Sequence, residues 1–169
     1  MVRAHSRITT GLGREHPTEI GFTFHRWGAP YLPASGLKGV ARRAAPDPES
    51  ADQLFGNQDK KGSIVVLDGV IVTAGRGSAS RFLELDVMNP HYPGYYRGQG
   101  LPSESDDPIP LTFLTIPKGA SLSVVCAGRA EDHARDALEA LIRGLSTFGF
   151  GAKTSSGYGW LETEEITYE

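Results

Sequence analysis

A segment near the C-terminal end, FGFGAKTSSGYGW at 148–160, combines four glycines with a cation and hydroxyl groups. Lysine, hydroxyl and backbone N–H groups bind phosphate oxygens, and glycine lets the backbone approach an extended polymer closely. A helix end at Gly149 would explain one glycine but not all four. The pattern leaves two interpretations, a plain surface loop and a ligand-contacting loop. The candidate contact residues are Gly149, Gly151, Lys153, Thr154, Ser155, Ser156, Gly157 and Tyr158.

The position of this glycine-rich loop excludes the common nucleotide-binding fingerprints. The loop runs from the end of a predicted helix into a strand, whereas dinucleotide and P-loop sites run from a strand into a helix. A helix C-terminus presents carbonyl groups and the negative end of the helix dipole, which do not attract phosphate. The chain also contains neither GxGxxG nor GxxxxGK followed by serine or threonine.

A second cationic segment, SGLKGVARRAA at 35–45, has the pattern of a helix. Its apolar residues recur from Leu37 at the i, i+3, i+4 and i+7 spacing of one buried stripe. Ser35 is the predicted N-cap. The free N–H groups of the first turn, with Lys38 one turn in and Arg42 one turn further, predict an anion site. Cations on an ordinary solvated helix face are the alternative.

A third segment, MNPHYPGYYR at 88–97, is rich in aromatic residues. Tyrosine and histidine could stack on bases while arginine meets phosphate. Tyrosine and arginine are also enriched at protein interfaces, and a self-packed loop held by its prolines is a third interpretation. The candidate RNA or subunit contacts are His91, Tyr92, Tyr95, Tyr96 and Arg97.

The remaining polar residues predict neither a metal site nor a cofactor. The five histidines are not spaced like metal ligands, and Cys126 is the only cysteine, which excludes an intramolecular disulfide. Glu104, Asp106 and Asp107 stand in a polar stretch that is typical of a solvated turn.

The composition fits one globular domain covering 1–169. The net charge of −3 excludes a global basic field, so nucleic acid would have to be met by a local basic surface. No apolar run reaches the length of a membrane span, and the N-terminal MVRAHSRITT lacks a signal-peptide core. We expect a cytoplasmic location.

The periodicity of the chain places these segments on a predicted α+β fold. Residues 2–10 alternate like a half-buried strand, 63–73 is a β segment, and 130–147 has a long apolar helical stripe. Strands at 111–116 and 121–127 flank PKGA and predict a hairpin. With the helix at 35–45 and a last strand after the glycine-rich loop, the order is that of a ferredoxin-like or RRM-like unit. Its mainly antiparallel sheet carries helices on one face, and an irregular insertion covers 75–108.

Several of these segments resemble the signatures of the RAMP superfamily, the repeat-associated proteins of CRISPR systems. The glycine-rich loop is similar to the glycine-rich signature near the superfamily's C-terminus. SRITTGLG and FHRWGAPYLPASGLKGVAR resemble its first strand and lysine-bearing segment, and FGNQDKKGSIVVLDG resembles the segment that follows. DVMNPHYPGYY and PIPLTFLTIPKG are similar to one branch, the sixth subunits of type III-B Cmr complexes. The resemblance runs from Ser6 to Trp160, although the chain is shorter than expected for that branch.

The resemblance implies a modified RRM fold and a non-catalytic subunit that binds CRISPR guide RNA near its 3′ side. The implied neighbours are the repeating backbone subunit, the small subunit and the first Cmr subunit, with target RNA nearby. Two alternatives remain: a metal-independent endoribonuclease of the same superfamily, using His25 or His91 with Tyr95 and Lys38, and an adaptor that binds no RNA. The implied RNA contacts are Ser35, Gly36, Lys38 and Arg42 together with the residues of the glycine-rich loop.

Overall fold

The structure is a computed structural model that describes residues 1–13, 21–74, 82–89, 93–96, 98, 100–101 and 110–168. Its strands are β1 (Val2–Ala4), β2 (Tyr31–Leu32), β3 (Ile64–Val66), β4 (Gly69–Thr73), β5 (Glu84–Met88), β6 (Leu111–Thr115), β7 (Ser121–Ser123), β8 (Cys126–Gly128) and β9 (Leu161–Thr163). Its helices are α1 (Ala34–Arg43), α2 (Pro48–Phe55), α3 (Pro93–Tyr96) and α4 (Glu131–Thr147), and a 3-10 turn covers Thr154–Ser156.

The main sheet has the strand order β2-β4-β7-β1-β9, and every neighbouring pair is antiparallel. Successive side chains of a strand point to opposite faces. Val2 lies opposite Leu122, and both are buried in the core. Arg3 pairs with Ser121 and Glu162 and therefore points to the outer face. The alternation predicted for 2–10 is confirmed over β1, which is shorter than predicted, whereas Ile8, Thr9 and Thr10 are all buried.

Helices α1 and α4 cover the inner face of the sheet. The predicted stripe of α4 is buried at Ala137, Leu141 and Leu145. The two helices pack closely at Gly144, where an added Cβ would lie 2.7 Å from Val40 Cγ1. This layering confirms the α+β fold with an antiparallel sheet. None of the described helices is both long enough and apolar enough to cross a lipid bilayer.

The β segment predicted at 63–73 is confirmed as two strands, which belong to different sheets because β3 pairs with β8 whereas β4 lies between β2 and β7. One prediction of strand pairing is wrong. The strands at 111–116 and 121–127 do not form a hairpin: β6 pairs with β5, and β7 lies between β4 and β1. The reason is a long-range partner, since the Ile116 N–H donates to the Ile8 carbonyl at 2.7 Å.

Helix α2 follows α1 after a short connection and covers Pro48–Phe55. Asp47 caps it, because its side chain accepts a hydrogen bond from the Ser50 N–H at 2.8 Å, and Pro48 occupies the first turn. Within the predicted insertion at 75–108, the described part includes β5, which pairs along its length with β6. The two form a ribbon beside the main sheet.

Candidate nucleic-acid interface

The glycine-rich loop at 148–160 is held to the start of the chain by backbone hydrogen bonds. The Ala152 N–H donates to the Thr9 carbonyl at 2.8 Å, and the Gly159 N–H donates to the Arg7 carbonyl at 2.7 Å. The loop also closes on itself, because the Phe150 N–H donates to the Gly159 carbonyl at 2.7 Å. A loop anchored at both ends in this way presents a defined surface.

The tip of the loop carries the lysine in an uncommon backbone conformation. Lys153 has φ 61°, in the left-handed region that non-glycine residues rarely adopt. Its ammonium lies 5.7 Å from the centre of the Phe113 ring, a cation–π distance. Ser155, Ser156 and Gly157, which follow it, are exposed. The tip therefore displays the Ser155 and Ser156 hydroxyls to solvent beside a placed cation, while the Ser156 and Gly157 N–H groups donate to carbonyls within the loop.

A hydrogen-bond network that the sequence did not indicate fixes the loop to the β5–β6 ribbon. The Tyr158 hydroxyl donates to Asp86 Oδ2 at 2.7 Å, and Arg7 Nη1 donates to the same oxygen at 3.0 Å. Arg7 also pairs with Glu84 at 2.5 Å. The Tyr158 ring lies 5.8 Å from that of Phe113. The charged cluster thus joins three separate segments of the chain.

The ionisation of this network follows from its contacts. Partial burial alone would raise the pKa of Asp86, but the hydrogen bond from Tyr158 and the charge of Arg7 outweigh it, so the pKa lies below its usual value. Burial, reinforced by the bond to Asp86, raises the pKa of Tyr158 to about 12. The hydrogen bond to Glu84 raises the pKa of Arg7. At neutral pH the Asp86 carboxylate is ionised and accepts hydrogen bonds from Tyr158 and Arg7.

Helix α1 does not start as predicted. It begins at Ala34, one residue before the expected N-cap Ser35, and Pro33 occupies the cap position. The cap is supplied from a distant loop, because Asp68 Oδ1 accepts a hydrogen bond from the Ala34 N–H at 2.7 Å. The Ser35 side chain is therefore exposed and does not cap, while Lys38 is half-buried one turn later.

The structure brings α1 and the glycine-rich loop into direct contact. A Cβ added at Gly36 would lie 2.9 Å from the Phe150 ring, so only glycine lets the loop sit this close to the helix. At the other end of α1, the Arg43 guanidinium stacks 4.1 Å above the centre of the Phe148 ring. Two segments more than a hundred residues apart in sequence thus form one continuous surface.

Lys38 lies on the opposite flank of α1 from the loop. With 100° between successive helix residues, Gly36 and Arg43 share one flank, and Lys38 falls nearly opposite them. That flank lines a cleft of about 570 Å³ between α1 and the turn after α2. Ser35 and Gly39 occupy the exposed ridge between the two flanks.

Arg42, a predicted RNA contact, has intramolecular partners. Its guanidinium donates to the Ala51 carbonyl at 3.0 Å and to the Gly56 carbonyl, and it pairs with Asp52. The hydrogen bond from Arg42, followed by one from Asn57, lowers the pKa of Asp52. Arg42 therefore ties α1 to the end of α2, and an RNA contact through it stays a prediction.

Part of the aromatic segment at 88–97 lies outside the described residues, including His91, Tyr92 and Arg97. Tyr95 belongs to α3 and is half exposed. Tyr96 belongs to the same helical turn, and its side chain also lies outside the description. The three interpretations of this segment stay open.

Within the described ranges, no group of three or more histidine, cysteine, aspartate or glutamate side chains could hold a metal ion. Burial raises the pKa of the Cys126 thiol to about 11, so this thiol is protonated at neutral pH. The polar groups of α1 and the loop include cations and exposed hydroxyls, which suit an anionic polymer. The Ala34, Gly36 and Leu37 N–H groups in the first turn of α1 already have acceptors, so the anion site predicted from free N–H groups there is not found.

The antiparallel sheet, the helices on its inner face and the loop that joins α4 to β9 define an RRM-like protein of the RAMP type. The sequence pattern of the RAMP superfamily matches residues 2–162. The chain belongs to the RAMP superfamily.

Proteins of one branch of that superfamily are similar to this chain over most of its length. The CRISPR system Cmr subunit Cmr6 of Pyrococcus furiosus is 30% identical over 94% of this chain and 66% of its own length. The crystal structure of that organism's Cmr6 matches with a TM-score of 0.62 and 29% identity over 96% of both chains. These similarities confirm the branch indicated by the MNPHYPGYY segment.

A chain in the cryo-EM structure of the type III-B Cmr-beta complex bound to cognate target RNA also matches, with a TM-score of 0.80 and 25% identity. The match covers 98% of the present chain and 57% of that one. The chain thus spans 66% of the length of the Pyrococcus furiosus Cmr6 subunit and 57% of the length of the matching chain in the Cmr-beta complex.

Proposed function

We propose that the chain is a non-catalytic subunit of a type III-B Cmr effector complex that binds CRISPR guide RNA. In this proposal it caps the filament of repeating backbone subunits near the 3′ side of the guide RNA. One observation carries the proposal: Gly36 and Phe150 hold the start of α1 against the glycine-rich loop. This contact brings the start of α1, with the exposed Ser35, next to the loop that carries Lys153 and the exposed Ser155 and Ser156. The proposed membership of a Cmr complex rests on the similarity to Cmr6.

The contacts offered are of the kind that bind a sugar–phosphate backbone. Lysine, serine and threonine side chains and backbone N–H groups position nucleic acid through phosphate without reading sequence. The loop tip supplies Lys153 with Thr154–Ser156, and α1 supplies Ser35 and Lys38. The predicted binding is therefore salt-dependent and weakly sequence-specific.

The position of His25 favours the non-catalytic role over the endoribonuclease alternative. Cleavage at a ribose 2′-OH needs a general base, a general acid and a cation close together. His25 instead packs on Trp27, with 4.4 Å between ring centres, and on Tyr31, with 6.0 Å. Tyr31 lies across from Val70 on the outer face of the sheet, whereas Lys38 lines the cleft beside α2.

The assembly part of the proposal is supported by apolar side chains left exposed on the described surface. Patches of this kind on soluble proteins commonly mark interaction sites. Trp27 is 80% exposed and Leu85 is 65% exposed. We propose that these surfaces contact the repeating backbone subunit, the small subunit and the first Cmr subunit, in the cytoplasm. Exposed large apolar residues on β4 and β5 are Val70, Val72, Leu85 and Val87.

Fluorescence anisotropy with a CRISPR-repeat RNA tests the RNA-binding part. The wild-type chain should bind with an affinity that falls as salt rises, and Lys153→Ala and Lys38→Ala should each weaken binding about three- to tenfold. Lys118→Ala is the matched control, since this exposed lysine lies in the turn between β6 and β7. No measurable RNA binding by the wild-type chain would favour the adaptor that binds no RNA, and binding unchanged by salt and by both lysine variants would contradict the predicted phosphate contacts.

Incubation of the same RNA with the purified chain in EDTA tests the non-catalytic part. The expected result is intact RNA after prolonged incubation. Scission at one position, abolished by His25→Ala, would establish the endoribonuclease instead and overturn the non-catalytic assignment.

A further inference from the structure

We propose that the turn at 56–62, which follows α2, forms a second contact site for the phosphodiester backbone of single-stranded RNA, with Lys60 and Lys61 as its cations. This proposal rests on the proposed function, because it extends the RNA path to a segment that is not among the RNA contacts predicted from the sequence. The turn faces α1 across the cleft of about 570 Å³, on the flank away from the glycine-rich loop.

Positive charge predominates in the cleft. The charged side chains that line it are Lys38 and Arg42 from α1 and Lys60 and Lys61 from the turn. Arg42 is paired with Asp52, and Asp59 lies in the turn beside Lys60, so the three lysines supply the unpaired positive charge of the lining. Lys60 and Lys61 are exposed. The whole chain has a net charge of −3, so charge is distributed unevenly over the molecule. A local concentration of positive charge attracts an anionic polymer.

The turn that carries these lysines is fixed in shape. Asn57 Oδ1 accepts hydrogen bonds from the Asp59 N–H at 3.0 Å and the Lys60 N–H at 2.8 Å. The Asn57 N–H donates to the Lys60 carbonyl at 2.9 Å. Gly56 enters the turn with φ 76°, which favours glycine. A turn ordered before binding loses less conformational entropy on contact with its ligand.

Arg42 positions this turn from the opposite wall of the cleft. Its guanidinium binds the Gly56 carbonyl and the Asp52 carboxylate, and Asp52 accepts a second hydrogen bond from Asn57 Nδ2 at 2.8 Å. The chain of contacts runs from α1 through Asp52 and Asn57 to the Lys60 N–H. Arg42 is therefore a positioning residue, and the lysines of the turn are the contact residues.

The two sides of α1 are joined by an open ridge. A Cβ added at Gly39 would meet no atom within 4 Å, so nothing in the described structure covers this part of the helix. Ser35, one turn earlier, is exposed on the same ridge. An RNA strand could cross α1 here, with the glycine-rich loop on one side and Lys60 and Lys61 on the other.

The salt dependence of RNA binding by the full chain tests the proposal. The double variant Lys60→Ala/Lys61→Ala should bind a fluorescein-labelled single-stranded RNA about tenfold more weakly at low salt. Its plot of log affinity against log salt should be shallower by about 1.4, which is twice the ~0.7 expected per phosphate contact on a single strand. Lys60→Arg/Lys61→Arg should keep the wild-type slope, and Lys118→Ala is the matched surface control.

The outcomes separate this proposal from the proposed function. A wild-type slope in the double alanine variant, together with weakened binding by Lys153→Ala, would overturn the second site and leave the glycine-rich loop as the RNA contact. Absence of salt-dependent binding by the wild-type chain would overturn both. An unchanged urea midpoint in the double variant, measured in parallel, ensures that a loss of affinity reports on contact rather than on folding.

Discussion

The Tyr158 hydroxyl is the atom that joins the glycine-rich loop to the β5–β6 ribbon. Because its acceptor, Asp86, is ionised, Tyr158→Phe should lower the free energy of unfolding by about 1 kcal/mol while the ring keeps its place beside Phe113. Urea denaturation measures this change. RNA binding should weaken too, because the loop loses one of its anchors. Identical urea midpoints for the variant and the wild type would contradict the network.

Asp86 gives the same network a defined pH dependence. Its pKa is lowered in the folded protein, so its carboxylate contributes stability that is complete above the unfolded pKa, about 3.9, and is lost as the pH falls through the lower folded value. The difference in unfolding free energy between the wild type and Asp86→Asn should therefore be constant from pH 7 to about pH 5 and shrink in more acid solution. Urea titrations across this range check it, and a difference that grows with acidity would contradict it.

The close crossing of α1 and α4 depends on Gly144 of α4, where a larger residue would not fit. Gly144 faces Val40 so closely that Gly144→Ala should destabilise the fold by about 1–3 kcal/mol through overpacking. Gly39, also in a helix but open to solvent, is the matched control. Gly39→Ala should stabilise by up to about 1 kcal/mol, because alanine is the better helix former. Thermal unfolding distinguishes the two, and a change of the same sign in both would contradict this packing.

The elements that could be predicted from sequence are those whose pattern repeats over several turns. The stripe of α4 spans most of 130–147, and the helix found at Glu131–Thr147 agrees with it within one residue. Strand pairing was predicted less well. The PKGA turn indicated a hairpin, but Ile116 pairs with Ile8 and the Ala120 carbonyl accepts from Ala4. Partners more than a hundred residues away outweighed local turn chemistry.

The candidate interface was predictable only in part for the same reason. Its two main segments carry their signal in the glycines and lysines of FGFGAKTSSGYGW and SGLKG. The partners of Arg42 and the cap from Asp68 come from loops that fold back onto α1, and no local pattern specifies them. Lys60 and Lys61 did leave a signal, two adjacent lysines just before Gly62, which acquires meaning only when α2 places them opposite Lys38.

The molecule as a whole has a net charge of −3, so any attraction to RNA must come from one side of it. The helical side carries the glycine-rich loop, the ridge of α1 and the cleft. The outer face of the sheet, which RRM proteins commonly use for base stacking, carries Val70 and Tyr31 from neighbouring strands. Our account therefore expects RNA on the helical side, whereas binding in the manner of RRM proteins would place RNA on the outer face of the sheet.

Photo-crosslinking with 4-thiouridine-substituted guide RNA, followed by mass spectrometry of the crosslinked peptides, distinguishes these faces in one experiment. Our account predicts adducts in peptides from 148–160 and from 34–62, lost when salt is raised enough to release the RNA. Adducts confined to the outer sheet face around Tyr31 and Val70, with none in the glycine-rich loop or α1, would contradict it.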